Sequence, residues 1–288
     1  MTTTLTPPPP TAGAGGPSAG RPDGPPRPTG PRPAARVVAI LTIALGAALI
    51  FGAFATSALG AIAGAARGSG TLTADAADVR ALTVDVAAAD LSIVYGGDRA
   101  SLEVDGAVAD WRLRRDGDRL VVTTQRTWWS AIRPFGRSDT AVLTLPRSLE
   151  RVALDGDLTL SAGALRVQGT YGTVDATVSA GSMELSGRAA ALTADVSAGR
   201  LVVDLAGVDR AGFKLSAGSV EGSLTGSAPR TLTADLSAGR LALVLPDATY
   251  AVSTDAAAGD VENRLRVDPD SPRRISLTVS AGFASLRS

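Results

Sequence analysis

Leu192-Thr-Ala-Asp-Val-Ser-Ala-Gly-Arg-Leu-Val-Val203 is the stretch that decides the fold of this chain. Leu192, Ala194 and Val196 alternate with Thr193 and Asp195, the period-two pattern of a strand with one buried face. Counting on by twos from Val196 lands on Ala198 and Arg200, yet the apolar residues resume at Leu201 and Val203. The buried face therefore changes parity across Ser197-Ala-Gly199, which requires a corner or bulge there. Glycine supplies backbone freedom for the bend, and Ser and Ala are small enough to stack at a tight inner corner.

The same triplet begins at Ser161, Ser179, Ser197, Ser216, Ser237 and Ser280, with a degenerate Ala-Ala-Gly at Ala257. Its spacings are 18, 18, 19, 21, 20 and 23 residues. In every copy an apolar or small residue precedes the triplet by one and by three positions, as Val178 and Ala176 do before Ser179. A period of this size is the signature of a repeat architecture in which copies stack and share a narrow core. The expected fold is all-β, a β-solenoid resembling a parallel β-helix, with a β-sandwich as the alternative. Gly163, Gly181, Gly199, Gly218, Gly239, Gly259 and Gly282 are its expected structural corners.

An earlier copy, Leu82-Thr-Val-Asp-Val-Ala-Ala-Ala-Asp-Leu-Ser-Ile93, carries Ala89 in place of the corner glycine. Further strands are expected at Ser101–Val104, Trp111–Leu113, Leu120–Thr123 and Ala141–Leu145, with a hairpin signal at Asp116-Gly-Asp118. Residues 78–150 thus read as an irregular β cap and residues 151–288 as the repeat region, since capping repeats depart from consensus.

The first 35 residues hold 11 of the 17 prolines and read as a disordered cytoplasmic tail. Residues 37–66 carry no charge, long enough for a membrane-spanning helix expected over 36–66 and followed by a linker at 67–77. Arg21, Arg27, Arg32 and Arg36 precede the apolar run and Arg67 alone follows it closely. By the positive-inside rule this predicts a single-pass protein of the bacterial plasma membrane, its N-terminus cytoplasmic and its β region extracytoplasmic. The rival reading is a cleaved signal peptide, because Ala53-Phe-Ala55 has a small-x-small form.

An anchor, a Val84-Asp-Val86 strand, a strand ending Leu143-Thr-Leu-Pro146 and repeated Asp-Val-Ser-Ala-Gly turns together resemble the bacterial putative-adhesin domain family, over about residues 78–287. The resemblance implies a β-solenoid in a cell-surface setting and supplies no catalytic or ligand residues.

The chain has no cysteine and no histidine, which removes thiolate nucleophiles, the usual general base and the commonest metal ligands together. The formal charge is zero, from 28 basic and 28 acidic residues, so no global field draws the chain to nucleic acid. Thr127-Trp-Trp-Ser-Ala-Ile-Arg-Pro-Phe-Gly136 lies between expected strands. Trp128, Trp129, Phe135 and Arg133 there are either a contact for a partner or membrane, or a plug over the open end of the repeat stack. Asp195, Asp235 and Asp255 share one outward column with Lys214, which reads as a mixed-charge ladder and not a calcium site. The repeated serines lack an activating base. No cofactor, metal or enzymatic activity is expected. The functional expectation is a non-enzymatic surface adhesion or interaction module with a protein or cell-surface partner. An accessory or sensor of envelope stress is the alternative, and a carboxylate-dependent polysaccharide hydrolase the third reading.

Overall fold

The computed structural model describes residues 68–125 and 139–288. The first strands are β1 (Gly68–Ala74), β2 (Ala81–Val86), β3 (Ala89–Tyr95), β4 (Ala100–Gly106), β5 (Trp111–Asp116), β6 (Arg119–Thr124), β7 (Asp139–Leu145) and β8 (Leu154–Leu160). Next come β9 (Gly163–Val178), β10 (Ser182–Val196), β11 (Arg200–Ala206), β12 (Arg210–Leu215), β13 (Ser219–Thr225) and β14 (Thr231–Leu236). The last are β15 (Arg240–Val244), β16 (Thr249–Arg264), β17 (Arg266–Val267) and β18 (Arg274–Arg287). β1 runs through the stretch expected as a linker. The helical elements among the described residues are 3-10 turns, as at Val108–Asp110 and Arg147–Leu149.

Two parallel ladders follow from the repeat. Before the corners, β6, β2, β8, β9, β10, β12, β14, β18 and β16 pair in that order. After the corners, β7, β3, β9, β10, β11, β13, β15, β18 and β16 do the same. Antiparallel pairings are confined to the N-terminal part, where β4 joins β1 and β7, and β5 joins β6.

The architecture corrects the expected β-solenoid and its sandwich alternative. β10 pairs with both β11 and β12, and β18 pairs with both β14 and β15. The pairing therefore closes from β10 through β11, β13, β15 and β18, and back through β14 and β12. This is a closed parallel β-barrel of seven strands, with the other strands outside the ring. The reason lies in strands that run on through a bend: β10 spans 15 residues from one corner to the next, through the turn at Gly187, and β18 spans 14 through its Ser280–Gly282 corner. A repeat period dictates parallel, in-register stacking but not whether a strand breaks at its bend. Here these strands stay unbroken and join the two walls. The chain also leaves sequence order at its end, because β18 inserts between β14 or β15 and β16.

The single-pass membrane location is likewise corrected. No helix among the described residues is long and apolar enough to cross a membrane. The apolar strand faces are spent on an interior, as Leu192, Val196, Leu201 and Val203 are all at most 2% exposed. The expected tail and the spanning segment 36–66 lie outside the described residues.

Core packing alternates bulk. Phe213 stands between Ala194 and Ala234 in neighbouring strands, and all three are buried. A large ring between two methyls fills one layer without overpacking the next. Corners stack by backbone contact, since Ala180 N–H donates to Ser161 O and Ala198 N–H to Ser179 O, each at 3.0 Å. At Gly181 the φ of +92° lies in the left-handed region, and a Cβ there would run into the carbonyl oxygen of Gly163.

Two tyrosines interrupt the apolar core. Tyr171 is buried, Tyr95 is mostly so, and neither hydroxyl has a hydrogen-bond partner among the described residues. Both hydroxyls lie against Gly169, where an added methyl would touch each. Burial, the dominant cause, raises both pKa values above the ordinary 10.0.

Gly181→Ala should destabilise by about 3 kcal/mol, through strain and a backbone clash. Gly207→Ala, also at positive φ but with open space around it, should cost about 1 kcal/mol. Urea midpoints of the two variants check this ordering. Because the folded state holds the tyrosines neutral, their contribution to stability is complete below pH 10.0 and is lost as pH rises above it. Loss should approach about 1.4 kcal/mol per pH unit for each tyrosine. Tyr171→Phe should weaken that alkaline loss and change neutral stability by under ~1 kcal/mol, as its hydroxyl makes no bond to lose. Denaturation curves across the alkaline range measure both effects.

Candidate functional site

The first ladder places the polar column before each corner on one outward wall. In stacking order from β2 to β16 it reads Asp85, Thr159, Thr177, Asp195, Lys214, Asp235, Thr278 and Asp255. Two residues earlier on each strand a second row reads Thr83, Asp157, Asp175, Thr193, Gly212, Thr233, Ser276 and Ser253. Of these 16 positions, 14 are Thr, Ser or Asp. Strand spacing of ~4.8 Å makes the rows roughly 34 Å long. Lys214 has the only long side chain in either row, so the wall is low and studded with hydroxyl and carboxylate oxygens.

Its charges are mostly uncompensated. Lys214 Nζ stands 4.0 Å from Asp195 Oδ2, the one ion pair that these two rows make among the described residues. Asp235 neighbours Lys214 on the other side, as the sequence order requires. Asp255 does not continue that series, because β18 separates it from Asp235 and sets Thr278 beside it.

The wall after the corners differs. Arg166 pairs with Glu184 at 3.7 Å and Arg200 with Glu221 at 3.8 Å, both across strands. Arg240 lies over the Phe283 ring at 5.1 Å. These exposed pairs are each worth under about 1 kcal/mol and answer part of that wall's charge, while Asp204 and Asp260 on it make no ion pair among the described residues. A further clamp joins the loops on the far side from the corners, where Arg230 Nε and Nη2 donate to the two Asp209 carboxylate oxygens at 2.5 and 2.6 Å. Those hydrogen bonds hold the Asp209 carboxyl below its usual range.

The corner glycines gather into one file. Arg200 N–H donates to Gly181 O, Ser219 N–H to Gly199 O, Arg240 N–H to Gly218 O and Phe283 N–H to Gly239 O, at 2.9 to 3.1 Å. Gly163 pairs with Ala89, and Gly259 with Gly282. Ser161, Ser179, Ser197, Ser216 and Ser237 accept through their carbonyls in the same file, which makes them backbone elements of the corner. Trp128, Trp129, Arg133 and Phe135 lie outside the described residues. The third tryptophan, Trp111, is buried in the core. What sequence reasoning missed is the exchanged order of β16 and β18, since nothing in copies of similar period says which one lies outermost. The extra length between the last two triplets, 23 residues, is the one signal of it.

No family model matches this chain, and no curated protein does. Solved structures do. A putative adhesin from Bacteroides fragilis is 10% identical, with a TM-score of 0.41, covering 76% of this chain and 97% of that one. A putative adhesin from Parabacteroides merdae is also 10% identical, with a TM-score of 0.43, covering 77% of this chain and 96% of that one. A putative lipid binding protein from Parabacteroides distasonis is 15% identical, with a TM-score of 0.38, covering 77% and 97%. The chain is thus similar to solved proteins described as putative adhesins, the description to which its own motifs pointed, and at these identities its function is argued from its own residues.

Proposed function

We propose that this chain is a non-enzymatic surface adhesion or interaction module that presents its outward walls to a partner. The observation that supports this reading is the first wall, with its two rows of short oxygen-bearing side chains held in register across eight strands. Such a face meets a partner at many equivalent points, each weak, and derives its strength from their number. Carboxylate chemistry on a saccharide would need two or three acids converging around one bond with matched or raised pKa values. Asp157 and Asp175 are instead neighbours on an exposed strand face, and the other acids are spread along the rows. The repeated serines have their place in the corner backbone, which accounts for them without chemistry.

Arginines introduced at the centre of the wall test the reading. The full chain carrying Thr193→Arg and Thr233→Arg should keep its thermal midpoint, since both positions are exposed. Its binding to bacterial cells should fall by about tenfold, measured with labelled protein. Unchanged binding, or shortening of cell-surface polysaccharide by the unsubstituted chain, would overturn it.

A further inference from the structure

Among the described residues the barrel wall does not end in a covered strand. β16 is the outermost member of both ladders and is paired along Ala251–Arg264 to β18 alone among the described residues. Ala251 N–H donates to Arg273 O at 2.8 Å, toward the β18 side. Successive residues of a strand turn their N–H and C=O groups to opposite edges, so Val252, Thr254 and Ala256 present theirs outward. The carbonyl of Tyr250, on that same outer edge, accepts from Asp268 N–H at 2.9 Å. β17 covers the edge only there, at Thr249 and Tyr250. Beyond Tyr250 a run of backbone donors and acceptors has no partner strand among the described residues, the standing template for an added strand.

The side chains say what kind of strand. At the positions where other copies bury Leu, Val or Phe toward the core, β16 has Thr254 and Ala256, both exposed. They are small and leave room for apolar residues of an incoming strand. The outward side is acidic and unanswered. Asp255 faces Thr278 across β18, and Asp260 faces Phe283. Inside the ladders some carboxylates do stand beside cations, as Asp195 beside Lys214 and Glu184 beside Arg166. The one cation of β16, Arg264, donates to Glu262 at 2.8 Å and is already engaged.

We infer, on the reading of the chain as an interaction module, that the outer edge of β16 from Val252 to Arg264 accepts an extended strand of a partner protein, with apolar and basic residues alternating on each side of the corner and the phase shifting opposite Ala257–Gly259. The apolar residues cover Thr254 and Ala256, and the basic ones complete the cross-strand pairs that Asp255 and Asp260 lack. A second copy fits less well, because edge-to-edge pairing of two β16 strands brings these uncompensated carboxylates together, and like charges across strands repel.

The full chain can be titrated with a short peptide alternating valine and lysine, and with its valine–glutamate counterpart. The lysine peptide should bind and slow hydrogen exchange at Val252, Thr254 and Ala256. The glutamate peptide should bind at least about tenfold more weakly. Asp255→Lys with Asp260→Lys, both exposed, should reverse that preference without moving the thermal midpoint. Equal affinity for both peptides, protection elsewhere, or dimerisation of the chain through this edge in sedimentation would overturn the inference. Loss of lysine-peptide binding in the double variant while its binding to cells stays intact supports the edge as a separate contact. Cell binding retained with no peptide binding at all overturns the edge and spares the interaction-module reading.

Discussion

Backbone approaching backbone at the Ser-Ala-Gly corner is the constraint on which the rest of this structure depends. Each corner passes hydrogen bonds to the next through its own main chain, as from Ala198 N–H to Ser179 O and from Arg200 N–H to Gly181 O. That contact admits no Cβ at Gly181. With the corners locked in a file, the strands on both sides of every bend have no choice of register. The columns of Leu and Val then fall on one interior, and the columns of Thr and Asp fall on one exterior. A slip of one residue would exchange the two faces of every strand, which is why the arrangement is cooperative.

The exterior is a consequence of the same lock. Side chains two residues apart on each strand and one strand apart in the ladder form a grid whether or not any partner selects it. What differs between the walls is charge. The wall after the corners answers more of its charges, with Arg166 beside Glu184 and Arg200 beside Glu221. The wall before the corners answers only Asp195, through Lys214. An uncompensated face and an open edge both direct attention outward. They are two places where the described residues keep unmet interaction capacity, electrostatic in one case and hydrogen-bonding in the other.

Much of this was legible in the residues. The parity change between Val196 and Leu201 requires a bend at Ser197–Gly199, and both residues are buried on either side of one. The polar column containing Asp195, Lys214 and Asp235 could be written down before any coordinates, because stacking at a fixed period puts equivalent residues next to each other. The position of Asp255 could not. Only the longer spacing of 23 residues that follows its copy hints at the exchange, in which β18 takes the inner place and leaves β16 outside. Inner position favours the copy with larger apolar residues, and Leu277 and Val279 are buried where Thr254 and Ala256 are exposed. The tyrosine pair at Gly169 was likewise hidden, since Tyr95 and Tyr171 belong to different copies and meet only across strands.

By itself the sequence determined local structure: strands of period two, small corners, parallel stacking, and the absence of thiol and imidazole chemistry. These follow from residue size, polarity and backbone freedom, all short-range properties. Closure was decided by tertiary structure alone. Whether a strand stops at its bend or runs through it depends on hydrogen bonds to both neighbours at once, and β10 runs on through its Gly187 turn and β18 through its Ser280–Gly282 corner, joining two walls into a ring of seven strands. Which edge remains open is decided the same way, because it is a property of the last pairing made and not of any residue.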